Sequence, residues 1–270
     1  MTPAQREKYT ALLGVGSGPP GLDHLRALVR AHLTRVPFEN ISKLWYRATL
    51  GLEGLPGIDR YLEGIARYGF GGTCYANNYY LYLLLLSLGY DARLCGADMS
   101  RPDVHIVVMV RAGEREFILD GGYAAPFLEP FPAGSAAEVT VSLGNERYVL
   151  SPRDARGRSR LAMYRDGLLK HGYAVNPAPR HIEEFRQVIA DSFLPSATFM
   201  NAVVVARFEE GRSLVLHNRT IIETRGSLVR LTHLGGREEV VGAIERQFGI
   251  PSGIASVALP DLERLSDPWG

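Results

Sequence analysis

A chain of 270 residues that is 46% hydrophobic can bury one large core or two to three small ones, as a soluble globular protein does. Its 30 basic and 29 acidic side chains leave a net charge of +1, which excludes a general attraction to nucleic acid or to an anionic membrane and points to small-molecule chemistry. Two cysteines, Cys74 and Cys95, exclude a disulfide framework, and the start MTPAQREKYT has neither a basic nor an apolar leader segment, so a reduced, cytoplasmic protein is expected. The first ninety residues read as helical. Thr2 is a candidate cap, Pro3 suits the first helical position, and Tyr9, Leu12 and Leu13 form an apolar stripe. Leu22, Leu25, Leu28, Val29, His32, Leu33 and Val36 recur at helical spacing until Pro37 stops the pattern, and Ile58, Leu62, Ile65 and Ala66 mark a third helix before Gly69. A fourth begins near Thr73 or Cys74 and ends at Gly89. Its most apolar part, residues 81–88, falls short of the roughly 20 residues that cross a bilayer and contains Tyr82 and Ser87, so it reads as a buried helix.

From Asp91 the period changes to that of strands, in ARLCGA, VHIVVMV and EFILD, with Ala112-Gly113-Glu114 as a tight connection between the last two. VTVSL and RYVLS add two more, and this succession suggests an antiparallel sheet or small barrel. PRDARGRSR, residues 152–160, is a polar loop, and Pro177-Ala178-Pro179 reads as a break before the helix-like HIEEFRQVIADSF. Strands follow at AVVVAR, SLVLHN, TIIET and LVRLT. An amphipathic helix through Val240, Val241, Ile244 and Phe248 closes the chain, ended by Gly249 and Pro251.

The sharpest local feature is Gly69-Phe70-Gly71-Gly72-Thr73-Cys74, a glycine-rich turn that delivers a cysteine to the start of a helix. Unpaired N–H groups and the positive end of the helix dipole favour a thiolate at such a place, and glycines let a substrate carbonyl approach the backbone. A nucleophilic cysteine needs a base and a group that fixes the base's tautomer. His105 lies among apolar residues in VHIVVMV, and Asp120 ends EFILD. A hairpin centred near Gly113 makes positions 105 and 120 cross-strand neighbours. Each residue has an ordinary reading on its own: a small buried cysteine, a satisfied strand histidine, an aspartate in a turn before Gly121 and Gly122. Their joint order and register favour a Cys74–His105–Asp120 triad.

At this point the sequence resembles the arylamine N-acetyltransferases. The blocks that carry the resemblance are HLTRVPFEN (residues 32–40), the Gly-Gly-Thr-Cys-Tyr turn, the histidine in its apolar strand, FILDGGY followed by Pro126, residues 191–223, and QFGI before Pro251. They occur in the family's order and cover nearly the whole chain. The resemblance implies an α+β fold with a cysteine-protease/transglutaminase-like active site. An N-terminal helical bundle (1–90) would carry the nucleophile, a central antiparallel β-barrel (91–178) His105 and Asp120, and an α/β lid (179–270) would close the molecule. It also implies a ping-pong reaction in which Cys74 takes an acetyl group from acetyl-CoA and an arylamine, hydrazine or N-hydroxyarylamine attacks the thioester. Gly121 and Gly122 would cradle the pyrophosphate of CoA, although a plain turn explains two glycines equally well. Two positions depart from the family pattern, Phe70 where arginine is usual and Ala76 where glutamate is usual. Glu39 then needs another partner, such as Arg35 or Arg67, and the pocket entrance is expected to be more apolar and to favour bulkier acyl groups or amines.

Weaker features bound the reading. Arg153, Arg156, Arg158 and Arg160 suit CoA phosphates but read better as a solvated loop. Tyr75, Tyr79, Tyr80 and Tyr82 with Phe38 form an aromatic acceptor pocket or, for at least half of them, core packing. His24, His32, His171, His181, His217 and His233 show no ligand spacing, so no metal is expected, and no cofactor is expected to be permanently bound. Three alternatives keep part of this picture: an amide synthase fed by an acyl carrier protein with a polyketide thioester, a transglutaminase-like cysteine hydrolase, and a catalytically silent binding module.

Overall fold

A computed structural model describes residues 1–16 and 18–265. Five helices form the N-terminal part: α1 (Pro3–Leu13), α2 (Leu22–Arg35), α3 (Ile41–Leu50), α4 (Ile58–Tyr68) and α5 (Cys74–Ser87), with the two-residue strand β1 (Phe38–Glu39) between α2 and α3. The expected start of α1 is present in full: the Thr2 hydroxyl accepts from the Gln5 N–H, the Gln5 side chain accepts from the Thr2 N–H, and Pro3 needs no acceptor. Among the described residues no helix is long and apolar enough to cross a membrane. Instead α5 lies between the other helices and the sheet that follows, with Leu81, Leu84 and Leu85 fully buried.

That sheet has eight antiparallel strands: β2 (Asp91–Asp98), β3 (His105–Ala112), β4 (Arg115–Leu119), β5 (Phe131–Pro132), β6 (Val139–Leu143), β7 (Glu146–Leu150), β8 (Ser159–Arg165) and β9 (Leu168–Arg180). Their order, β5-β4-β3-β2-β9-β8-β7-β6, joins two meanders along β2 and β9 into a nearly closed barrel. The break expected at Pro177-Ala178-Pro179 is instead the end of β9. Prolines are tolerated there because β8 stops pairing at Val175 and the ladder with β2 is bulged: Ala97 faces Val175, yet Cys95 faces Pro179. The bulge leaves the Pro177 carbonyl free to accept from the Arg93 guanidinium and the Cys95 thiol.

The C-terminal part opens with a 3-10 turn (Ile182–Phe185) and the short α6 (Arg186–Asp191), so HIEEFRQVIADSF is helical only in pieces. Four strands follow, β10 (Val204–Glu209), β11 (Arg212–His217), β12 (Thr220–Arg225) and β13 (Leu228–His233), then α7 (Arg237–Ala243), a π turn (Ile244–Phe248) and α8 (Ser252–Ala258). β10 reads as an unbroken apolar run because both of its faces are buried. Val205 packs with Ile41, Leu44, Ile244 and Phe248 on one side, while Val204, Ala206 and Phe208 pack with Phe38 on the other. One edge strand of this sheet is β1, from the N-terminal part, with Phe38 opposite Ala206. Asn40 secures the junction: its amide donates to the carbonyls of Phe199 and Ala202 and accepts from the Val204 N–H.

Candidate active site

The loop that presents Cys74 is held from three sides. Glu39, fully buried, accepts from the N–H groups of Gly71 and Ser42, so the start of α3 and the glycine turn share one carboxylate. The arginine partner expected for Glu39 is therefore absent: Arg35 donates to the Leu12 carbonyl and Arg67 pairs with Glu63. Burial raises the Glu39 pKa against these hydrogen bonds. The Asn77 amide donates to the carbonyls of Pro37, Gly72 and Gly121 and accepts from the Tyr61 hydroxyl. Gly71 has no room for a side chain, since a Cβ would fall 2.0 Å from the Pro37 oxygen.

Cys74 is the first residue of α5, and its cap residue Thr73 makes no side-chain hydrogen bond to the helix. The first-turn N–H groups of a helix have no acceptor within it. The Cys74 thiol, buried, lies 4.0 Å from the Val104 carbonyl and in hydrogen-bonding contact with His105. His105 opens β3, and its Nε2 lies 2.8 Å from Asp120 Oδ2, which leaves Nδ1 as the nitrogen for the cysteine. The hairpin does bring the two together, through the turn at Gly113-Glu114. The ladder ends at Val108 opposite Leu119, so the histidine and the carboxylate reach one another just beyond the last pair.

Asp120 is saturated with donors. Oδ2 accepts from His105 and, at 2.7 Å, from the Tyr173 hydroxyl; Oδ1 accepts from the Asn78 amide at 2.8 Å and the Gly122 N–H at 3.1 Å. Burial alone would raise its pKa, but the charge of His105 and these hydrogen bonds hold it below the usual carboxylate range. The same pairing overcomes the burial of His105 and raises its pKa to about 10, with Cys74 adding to the effect. The arrangement can keep a thiolate beside an imidazolium whose tautomer and orientation are fixed.

Sequence reasoning missed Asn78 and Tyr173. Asn78 is one helical turn beyond Cys74 in a largely apolar helix, a signal that could have found it; Tyr173 comes from β9 and carries no local signal. Gly121 and Gly122 are packed under this site, with the Gly121 N–H bonded to Asn78 and the Gly122 N–H to Asp120. A Cβ on Gly122 would come within 2.5 Å of the Cys74 Cα, and one on Gly121 within 2.8 Å of the His32 ring. Glycine is required at both places by close approach.

Two other expectations change. Phe70 is 1% exposed and packs tilted and edge-on among Trp45, Tyr46 and Tyr68 in the C-terminal core, so it does not shape an entrance; Ala76 does line a small cavity beside the glycine turn. The aromatic wall next to His105 comes from Tyr123 and Tyr173 rather than from the tyrosines of α5, where Tyr75 and Tyr80 are buried and hydrogen-bonded to backbone carbonyls. Phe38 packs on Phe199. The arginine loop folds around Asp154, which accepts from the N–H groups of Arg156 and Arg158, while Arg153 pairs with Glu116. Cys95 is fully buried, and burial pushes its thiol up to about 11.

The family model for N-acetyltransferase matches residues 21–257. Among curated proteins, a pineal gland arylamine N-acetyltransferase of Gallus gallus is 29% identical over 131 residues, which is 45% of this chain and 43% of that protein. An N-malonyltransferase of Gibberella moniliformis is 30% identical over 159 residues, 52% of this chain and 43% of its own. The matched stretches thus span less than half the length of these curated relatives. Among solved structures, the arylamine N-acetyltransferase of Nocardia farcinica superposes with a TM-score of 0.79 at 22% identity over 95% of this chain and 94% of that one. The Mycobacterium marinum enzyme in complex with CoA does so with a TM-score of 0.76 at 20% identity, over 96% and 99%.

Proposed function

Since the chain belongs to the N-acetyltransferase family, we propose that it is an arylamine N-acetyltransferase-like enzyme that carries an acyl group from acyl-CoA to an amine through a thioester on Cys74. The observation that carries this reading is the line of contact from Cys74 at the uncapped start of α5, through His105, to the fully hydrogen-bonded Asp120. In the first half-reaction the Cys74 sulfur attacks the acyl thioester carbonyl. The carbonyl electrons return to expel the CoA sulfur, which takes its proton from the His105 imidazolium. In the second, the amine attacks the Cys74 thioester, His105 takes a proton from the amine, and the Cys74 thiolate leaves. First-turn N–H groups of α5 are suited to stabilise the oxyanion formed in both halves. Asp120 keeps His105 in one tautomer and offsets its positive charge.

The likeness to an N-malonyltransferase supports a donor range that includes malonyl-CoA beside acetyl-CoA. CoA chemistry and two free thiols fit a cytoplasmic site of action. Intact mass spectrometry after exposure to acetyl-CoA, malonyl-CoA and an acyl carrier thioester tests the proposal. One acyl group from a CoA donor should appear on the wild-type protein and none on Cys74→Ala. Labelling that survives in Cys74→Ala, or that needs the carrier thioester, would overturn it.

A further inference from the structure

Lys43 is a largely covered cation whose ammonium meets no carboxylate among the described residues. It occupies the third position of α3, where a cation is disfavoured by the helix dipole. The ammonium donates to the Ser192 carbonyl at 2.6 Å and the Ser192 hydroxyl at 2.8 Å, and lies 4.1 Å from the centre of the Phe193 ring. These contacts use neutral groups, so the positive charge is left uncompensated. It lines a small cavity together with Gly71, Gly72, Thr73, Tyr75 and Ala76, the residues on either side of Cys74. Desolvation depresses the Lys43 pKa to about 8, and of the groups around it the negative charge of Cys74 is the one that opposes this, while Arg47 adds to the depression.

We propose that Lys43 is a positioning residue that steadies the Cys74 thiolate from the cavity beside the glycine turn, as the second cation of the site. This rests on the assignment of Cys74 as the nucleophile. A largely covered cation that lacks a carboxylate is retained at a cost in solvation, and an anion on Cys74 would offset it. Other groups turned toward the two residues are few. Cys74 faces His105 from β3, with Asp120 behind it, and Tyr75 on its own helix. Lys43 faces Arg47 and Tyr46 on its own helix and Ser192 and Phe193 after α6. The ammonium therefore acts through Cys74, at a distance, and touches no reacting atom.

Alkylation of Cys74 by iodoacetamide across acidic to neutral pH tests this without any acyl donor, so its outcome is independent of whether acyl-CoA is the substrate. Lys43→Gln keeps a donor for Ser192 and removes the charge; Lys43→Arg keeps the charge. The acid limb of the alkylation profile should move to higher pH in Lys43→Gln, slowing alkylation about threefold to tenfold on that limb, and return toward the wild-type position in Lys43→Arg. If Lys43→Gln does not fold, Lys43→Met takes its place in the same comparison. Superimposable profiles for the wild type and a folded neutral variant would overturn the inference, as would equal displacement by Lys43→Arg. Failure of Cys74 to alkylate in the wild type would instead count against the assignment of the nucleophile.

Discussion

Lowering the pH should destabilise this protein through one residue outside the Cys74–His105–Asp120 line of contact, His32. It lies on α2, fully buried, with Nδ1 3.1 Å from the Tyr9 hydroxyl and Nε2 without a hydrogen-bond partner among the described residues, pressed against Gly121. Burial lowers its pKa from 6.5 to about 4. A depressed histidine binds its proton in the unfolded chain before the folded one, so its contribution is present above pH 6.5 and is lost as the pH falls from 6.5 toward 4. The linkage amounts to about 2 kcal/mol at pH 5 and about 3 kcal/mol at pH 4. Glu39, whose pKa is raised by burial, works in the opposite direction, so the wild-type curve alone does not isolate the histidine. Urea unfolding followed by circular dichroism at pH 7 and pH 5, in the wild type and in His32→Gln, does isolate it. The variant starts from a lower stability because a packed ring is lost, but the wild type should lose about 2 kcal/mol more than the variant between the two pH values. Parallel losses would show that His32 is protonated in the fold, and the reasoning from its burial would fail.

Two substitutions probe the site itself. Asp120→Asn keeps the shape of the side chain and can still meet some of its partners, yet it removes the charge that holds His105 protonated; turnover should fall by at least about 100-fold while the circular dichroism spectrum is retained. Activity equal to the wild type would remove Asp120 from the mechanism. Gly122→Ala places a methyl group 2.5 Å from the Cys74 Cα and 2.9 Å from its carbonyl oxygen, both backbone atoms that cannot step aside, so α5 must shift. A lower melting temperature together with slower alkylation of Cys74 is expected, and unchanged values of both would show that the contact relaxes freely.

How much of this was legible in the sequence depended on how local the determining contacts are. Cys74, His105 and Asp120 sit on a turn-to-helix junction and a two-residue hairpin, both written in adjacent residues, and so their proximity could be read directly. Tyr173 could not, because it reaches Asp120 from a strand 53 positions away, where it is placed by pairing opposite Leu161 of β8. The bulge between β2 and β9 hid the end of β9, since prolines that look like a break lie where the ladder is irregular. Helix α3 was hidden for a related reason: its cap residue Asn40 turns its side chain away to the C-terminal strands, and the start of the helix is satisfied by Glu39 instead, so the usual capping pattern is absent. With α3 unread, the lysine it carries to the cavity beside the glycine turn went unread too, and Phe70, expected at an entrance, packs on the aromatic face of that same helix. Glu39 ties these together. A carboxylate satisfied by the backbone N–H groups of Gly71 and Ser42 and by the Ser42 side chain needs no arginine at position 70, which frees that position for an apolar ring.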